Sequence, residues 1–190
     1  MFQRAFILSL AIFSFGAFAA DTYKIDPAHT AIIFKVSHLG FSNTFGMFTD
    51  VDGTIVIDEA KPEKGSVDLK IKTDSITTHN EKRDQHLKSP DFFNAKQNQW
   101  ITFKSTAVKP EGMNKFKVTG DLTMNGVKKP MTFEMTRNRT GQDPWGGTRT
   151  GFDGTIKLKR SEFKMNFMQG ENAVGDDIDV ILSVEGIKNK

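Results

Sequence analysis

Apolar side chains recur at every second position along most of this chain. Ile32, Phe34, Val36 and His38 form one such row; Val67, Leu69 and Ile71 form another. Phe116, Val118, Gly120, Leu122 and Met124 form a third, Met131, Phe133 and Met135 a fourth, and Ile178, Val180, Leu182 and Val184 a fifth. Polar or charged residues occupy nearly all the positions between. A period of two belongs to strands with one dry and one wet face, because successive Cβ atoms leave a strand on opposite sides.

Turn chemistry separates these rows. Ala60–Gly65 and Lys109–Gly112 carry Pro and Gly, and Asn125-Gly126 sits between two alternating runs. Asn-Gly in that position is a strong two-residue hairpin signal. Gly141–Gly147 reads as a longer loop. Strands linked by short turns build an antiparallel sheet. One segment departs from the pattern: Asn80–Lys88 has no Gly or Pro and predicts a short helix ending before Ser89-Pro90.

About eight strands with one greasy face need a second layer, and one short helix cannot supply it. Closing the sheet on itself buries the face and removes the edges. The expected fold is therefore all-β: an eight-stranded antiparallel barrel with one short helix. Such a barrel is just wide enough to be filled or to hold one small ligand. Alternation does not decide between the two. Flexible Met at 124, 131, 135, 165 and 168 suits either a core or a pocket wall.

Composition enters at the N-terminus. The chain has 17 Phe against 1 Tyr and 2 Trp, and five of those Phe fall within residues 1–19. That segment has Arg4, an apolar run from Ala5 to Phe18, and Ala17-Phe18-Ala19. This is the form of a cleaved secretory signal peptide, so the mature domain is expected at 20–190, exported. With no Cys, there is neither a disulfide framework nor a thiolate metal site. A formal charge of +3 from 26 basic and 23 acidic residues gives no electrostatic case for nucleic acid.

Few residues carry catalytic patterns. The four histidines at 29, 38, 79 and 86 lack a metal-ligand spacing. Asp50-Val51-Asp52-Gly53-Thr54 has the form of an aspartate-nucleophile phosphotransferase. That chemistry belongs to a parallel sheet with crossover helices, and Ile55-Val56-Ile57 continues as strand instead. A small exported hydrolase using Asp50 and Asp52 is kept only as an alternative. A ligand-free structural barrel, of the kind a stress protein would use, is another.

The aromatic residues are the better candidates. Phe34, Phe103, Phe116 and Phe133 have inward strand parity, as do Val36, Met124 and Met131. Phe41, Phe45 and Phe48 crowd one stretch, Phe92 follows the helix, and Trp145 lies in a Gly/Pro loop. These residues line a cavity or a portal, or else they pack a core and anchor loops. His38 and Arg83 are the candidate polar contacts at a mouth. Asp84 and His86 read as local structural partners around the helix.

Several linked motifs, in order, resemble one family. They are Asp26-Pro27-Ala28-His29-Thr30, Val36–Phe41, Gly46-Met47-Phe48, Glu81–Phe93, Gly120–Val127 with Pro130, Asp143–Gly147, and Ser183–Gly186. Together they are similar to the YceI-like periplasmic lipid- or polyisoprenoid-binding proteins. The resemblance implies a lipocalin-like extended barrel with a long apolar cavity. Its ligand would be an isoprenoid quinone, a polyprenyl phosphate or a fatty-acid-like chain. It implies no catalysis and no cofactor beyond that lipid, and it is compatible with a homodimer and a transient membrane contact.

Overall fold

The computed structural model describes residues 20–189, so the expected signal segment 1–19 lies outside the described residues. Among these residues, eleven strands form one sheet. They are β1 (Asp21–Ile25), β2 (Ala31–His38), β3 (Ser42–Phe48), β4 (Val51–Ile57), β5 (Ser66–Lys72), β6 (Ile76–Thr77), β7 (Trp100–Pro110), β8 (Lys115–Met124), β9 (Val127–Gln142), β10 (Thr148–Lys159) and β11 (Val174–Lys188). Helix α1 spans Glu81–Leu87.

The sheet closes. Neighbours run β1-β4-β5-β7-β8-β9-β10-β11, and β11 returns to β1 through Tyr23↔Lys188, Lys24↔Ile187 and Ile25↔Gly186. All pairings are antiparallel. This is the closed eight-membered ring that the alternation requires. The remaining three strands do not add a layer. β2 takes over from β1 along the same edge of β11, from Ala31↔Ser183 to His38↔Val174. β3 pairs with β2 and runs on into β4 after two residues. Thus β1 with β2, and β3 with β4, are two long strands, each broken once.

The first break is stapled. Between Ile25 and Ala31 the chain makes a 3-10 turn over Pro27–His29, capped by Asp26, whose side chain accepts from Ala28 N. Asp26 also accepts from Arg149 Nη1 at 2.6 Å and lies 2.9 Å from His29 Nδ1. Arg149 Nε donates to Asp143 at 2.8 Å, and Nη1 also reaches Glu185. One guanidinium thereby ties the break, the β9–β10 loop and β11 together. Burial pushes the Asp26 carboxyl up, but bonds from His29, Arg149 and Ala28 outweigh it and hold the group below its ordinary range.

Local signals behave as their chemistry dictates. Asn125 (φ 47°) and Gly126 (φ 70°) make the two-residue turn between β8 and β9. Asn80 caps α1 by accepting from Arg83 N at 3.0 Å, and the helix stops at Lys88, ahead of Pro90. The Gly141–Gly147 loop is shorter than its composition suggests, because β9 continues through Gln142.

Inward residues of the ring form the core. Tyr23, Ile25, Ile32, Val51, Ile101, Phe103, Val118, Leu182 and Val184 are buried. Glycine makes room for large neighbours. A Cβ on Gly120 would run into the Phe103 ring and the Lys104 carbonyl, and one on Gly46 into the Phe34 ring.

Candidate functional site

The barrel interior is not filled along its length. Two apolar cavities succeed one another along the strands. One, of about 210 Å³, lies at the end closed by the β4–β5 and β7–β8 connections. Its wall includes Ile55, Phe103, Phe116, Phe133, Phe152 and Leu182. The other, of about 290 Å³, lies at the end covered by α1. Its wall includes Phe34, Phe48, Phe92, Phe93, Met124 and Val180. The dividing waist falls between Val180 and Leu182, adjacent inward positions of β11. A larger depression of about 770 Å³ lies between Lys72, Lys88, Lys96 and Trp100, with a more polar wall.

Each apolar wall is built from interlocked rings. At the helix end, Phe34 meets Phe48 (centroids 6.2 Å apart) and Phe48 meets Phe93 edge-on (5.7 Å). Phe167 packs on His86 (4.7 Å) and Phe92 (5.5 Å), so the segment after β10 forms part of the cover. That segment hangs on Arg160. This buried guanidinium donates to the carbonyls of Met165, Met168, Val174 and Gly175. Burial presses its pKa down. At the other end, Phe103 meets Phe133 (5.2 Å) and Phe116 meets Phe152 (6.1 Å). Arg137 lies over the Phe116 ring (5.5 Å) and bonds Glu59 at 2.6 Å, a bridge across that mouth.

α1 is fixed over its cavity by polar bonds to β6 and the residue after it. Asp84 accepts from Thr78 N at 2.8 Å, from Thr78 Oγ1, and from Thr77 Oγ1 at 3.1 Å. Burial raises the Asp84 pKa, but the Thr78 and Thr77 bonds and the Arg83 charge outweigh it and leave the group below its ordinary range. Arg83 Nε donates to Thr78 Oγ1 and Nη2 to Thr78 O. His86 Nε2 lies 2.8 Å from Asp91. Asp84 is thus a structural partner, and His86 finds its partner in the following loop.

Ten of the fourteen sequence candidates line a cavity. Phe34, Val36, His38, Phe48, Arg83, Phe92 and Met124 lie at the helix end, and Phe103, Phe116 and Phe133 at the other. Four do not. Phe41 (89% exposed) sits in the β2–β3 turn, outside the wall. Phe45 (55% exposed) has the wrong parity, since Thr44 and Phe48 are the β3 residues in the wall. Trp145 (80% exposed) lies on the outer β9–β10 loop, beneath the Arg149 guanidinium. Met131 is half-buried opposite Gly120 and lines neither cavity. Met165 and Met168, which composition left open as core or pocket wall, line the helix end. Sequence reasoning missed Phe167 and Arg160 beside them, because an irregular segment carries no period. Asp50 and Asp52 are exposed and line neither cavity, and Asp50 lies 3.9 Å from Lys72. Asp26, His29 and Glu185 bring possible metal-ligand atoms together, but Arg149 already bonds both carboxylates.

This closed barrel with an apolar interior has clear relatives. A model of the YceI-like domain matches residues 23–186. The chain belongs to the YceI-like family. A UPF0312 protein of Pseudomonas putida is 43% identical over 188 residues, covering 98% of this chain and 96% of that one. The crystal structure of the Campylobacter jejuni YCEI protein has 33% identity and a TM-score of 0.73, covering 81% of this chain and 90% of its own. A polyisoprenoid binding domain from Saccharophagus degradans, implicated in plant cell wall breakdown, shares the fold at 14% identity and a TM-score of 0.67, covering 88% and 98%. The YceI-like barrel is therefore the scaffold on which this chain's cavities are built.

Proposed function

We propose that this YceI-like protein binds one long-chain amphipathic lipid inside the barrel, as a carrier, store or scavenger. The observation that carries the reading is the hollow interior: inward Phe, Met and aliphatic side chains surround two apolar cavities instead of filling the barrel. Each cavity alone suits a short apolar group, since a cavity of about 150 Å³ already holds benzene. A chain of isoprenoid or fatty-acyl length occupies both and displaces the waist side chains. Each buried methylene contributes about 0.8 kcal/mol before ordering costs, so ten of them contribute about 8 kcal/mol. Residues 1–19 direct the protein out of the cytoplasm, to the periplasm. Native mass spectrometry of freshly purified protein, followed by solvent extraction, tests the reading. The expected result is an adduct in the lipid mass range. Protein that is repeatedly lipid-free and takes up no prenyl or fatty chain refutes it. N-terminal sequencing of the protein from a periplasmic fraction tests export, with a mature start near Ala20 expected.

A further inference from the structure

The two ends of the hollow differ in charge. The wall of the helix-end cavity contains Arg83 and Arg160, together with His38 and His86, and no carboxylate. The wall of the other cavity contains Asp58 and Glu59 against Arg137 alone, and Arg137 is already bonded to Glu59.

Nearby carboxylates do not cancel the helix-end charge by direct pairing. Asp84 is turned to Thr77 and Thr78, Asp91 to His86, and Asp176 to Ser161 and Gln169. Among the described residues, neither arginine has a carboxylate oxygen within 4 Å. Arg160 is buried, with four of its five N–H groups on backbone carbonyls, so it acts as a fixed positive charge in the wall. Arg83 is exposed at the rim and directs Nε and Nη2 to Thr78, while Nη1 makes no hydrogen bond among the described residues. Guanidinium groups with no directly paired carboxylate, beside an apolar hollow, suit an anionic oxygen group joined to an apolar chain.

We infer that the lipid is anionic, with a carboxylate or phosphate head, and that it enters head-outward at the α1 end with Arg83 as its contact. The tail then points through the waist toward the cavity whose mouth carries Asp58 and Glu59. This inference rests on the lipid-binding reading above and adds the head chemistry and the orientation.

Chain-matched competition tests it. Delipidated protein is mixed with equimolar geranylgeranyl phosphate and geranylgeraniol, and separately with palmitate and hexadecanol, and occupancy is read by native mass spectrometry. At least one anion is expected to win by tenfold or more, and the pair that shows the preference distinguishes phosphate from carboxylate. Arg83→Met should bring the preference toward parity while Arg83→Lys retains most of it. Thr44→Glu, which adds a carboxylate to the same wall without touching the Arg83–Thr78 bonds, should abolish it and covers the case in which Arg83→Met fails to fold. Equal uptake of alcohol and anion in both pairs overturns the head assignment but leaves lipid binding standing. Uptake of none of the four probes refutes lipid binding itself. A preference that survives Arg83→Met and Thr44→Glu but is lost in Arg137→Met overturns the orientation.

Discussion

Phe103 and Phe116 are both inward aromatic residues of the same hairpin, and the structure assigns them different energetic roles. Phe103 is 6% exposed, packs on Phe133 and covers Gly120 at the waist side of its cavity. Phe116 is half-buried near the mouth, between Phe152 and the Arg137 guanidinium. Truncating a buried Phe to Ala costs about 3–5 kcal/mol. Phe103 already faces a hollow on one side, so part of its contact is missing and about 3 kcal/mol is expected for Phe103→Ala. A half-buried ring gives up about half the transfer term of a full one, so Phe116→Ala should cost about 1.5 kcal/mol. For a chain of this size, about 2–4 °C of Tm per kcal/mol puts Phe103→Ala about 6–12 °C below the parent. Urea unfolding of delipidated protein is the assay, read as a shift in midpoint at unchanged m. A loss under about 1 kcal/mol for Phe103→Ala, or equal losses for the two variants, would show that Phe103 is not part of a packed waist.

Three further outcomes follow from particular contacts. Asp84→Ala strands the Thr78 amide and two hydroxyls around a buried residue, which should cost about 2–4 kcal/mol and raise hydrogen exchange at Thr78, with Asp84→Asn milder. Asp26, Asp84, Asp143 and Asp176 all have pKa values below the ordinary 3.8 in the fold. Their contribution is therefore complete above that value and is lost as pH falls through the depressed values, so thermal midpoints should be flat from pH 7 to 5 and drop below about 4. Gly120→Ala puts a methyl against the Lys104 carbonyl and the Phe103 ring, and should cost about 1–3 kcal/mol in the same urea assay.

Much of the architecture is legible because a period of two leaves each inward row few alternatives. The rows from Ile32, Val67, Phe116, Met131 and Ile178 all face the interior, and Asn125-Gly126 marks its hairpin to the residue. The breaks between β1 and β2 and between β3 and β4 are less legible, since they are fixed by long-range partners such as Glu185, Arg149 and Ser75. Aromatic density misleads where parity does not: Phe45 sits one position off the inward Thr44–Gly46–Phe48 row, and Phe41 and Trp145 lie in turns. The irregular cover between β10 and β11 is invisible to pattern because its determinant is Arg160 collecting carbonyls up to fifteen residues away.

The waist explains how one chain can be hollow and still hold its shape when empty. Sealed, unfilled apolar volume costs on the order of 24 cal/mol per Å³, so cavities of about 210 and 290 Å³, each open at a mouth, cost at most about 5 and 7 kcal/mol. Joining them would add the contacts now made by Phe103, Phe133 and Leu182 to that cost. With no Cys in the chain, no disulfide offsets it. Ring closure through β1 and β11 and the packed waist must supply the difference. Dividing the hollow keeps each void small while no chain is present. An entering chain replaces waist contacts with its own methylenes, so the side chains that stabilise the empty barrel also set the resistance to filling it.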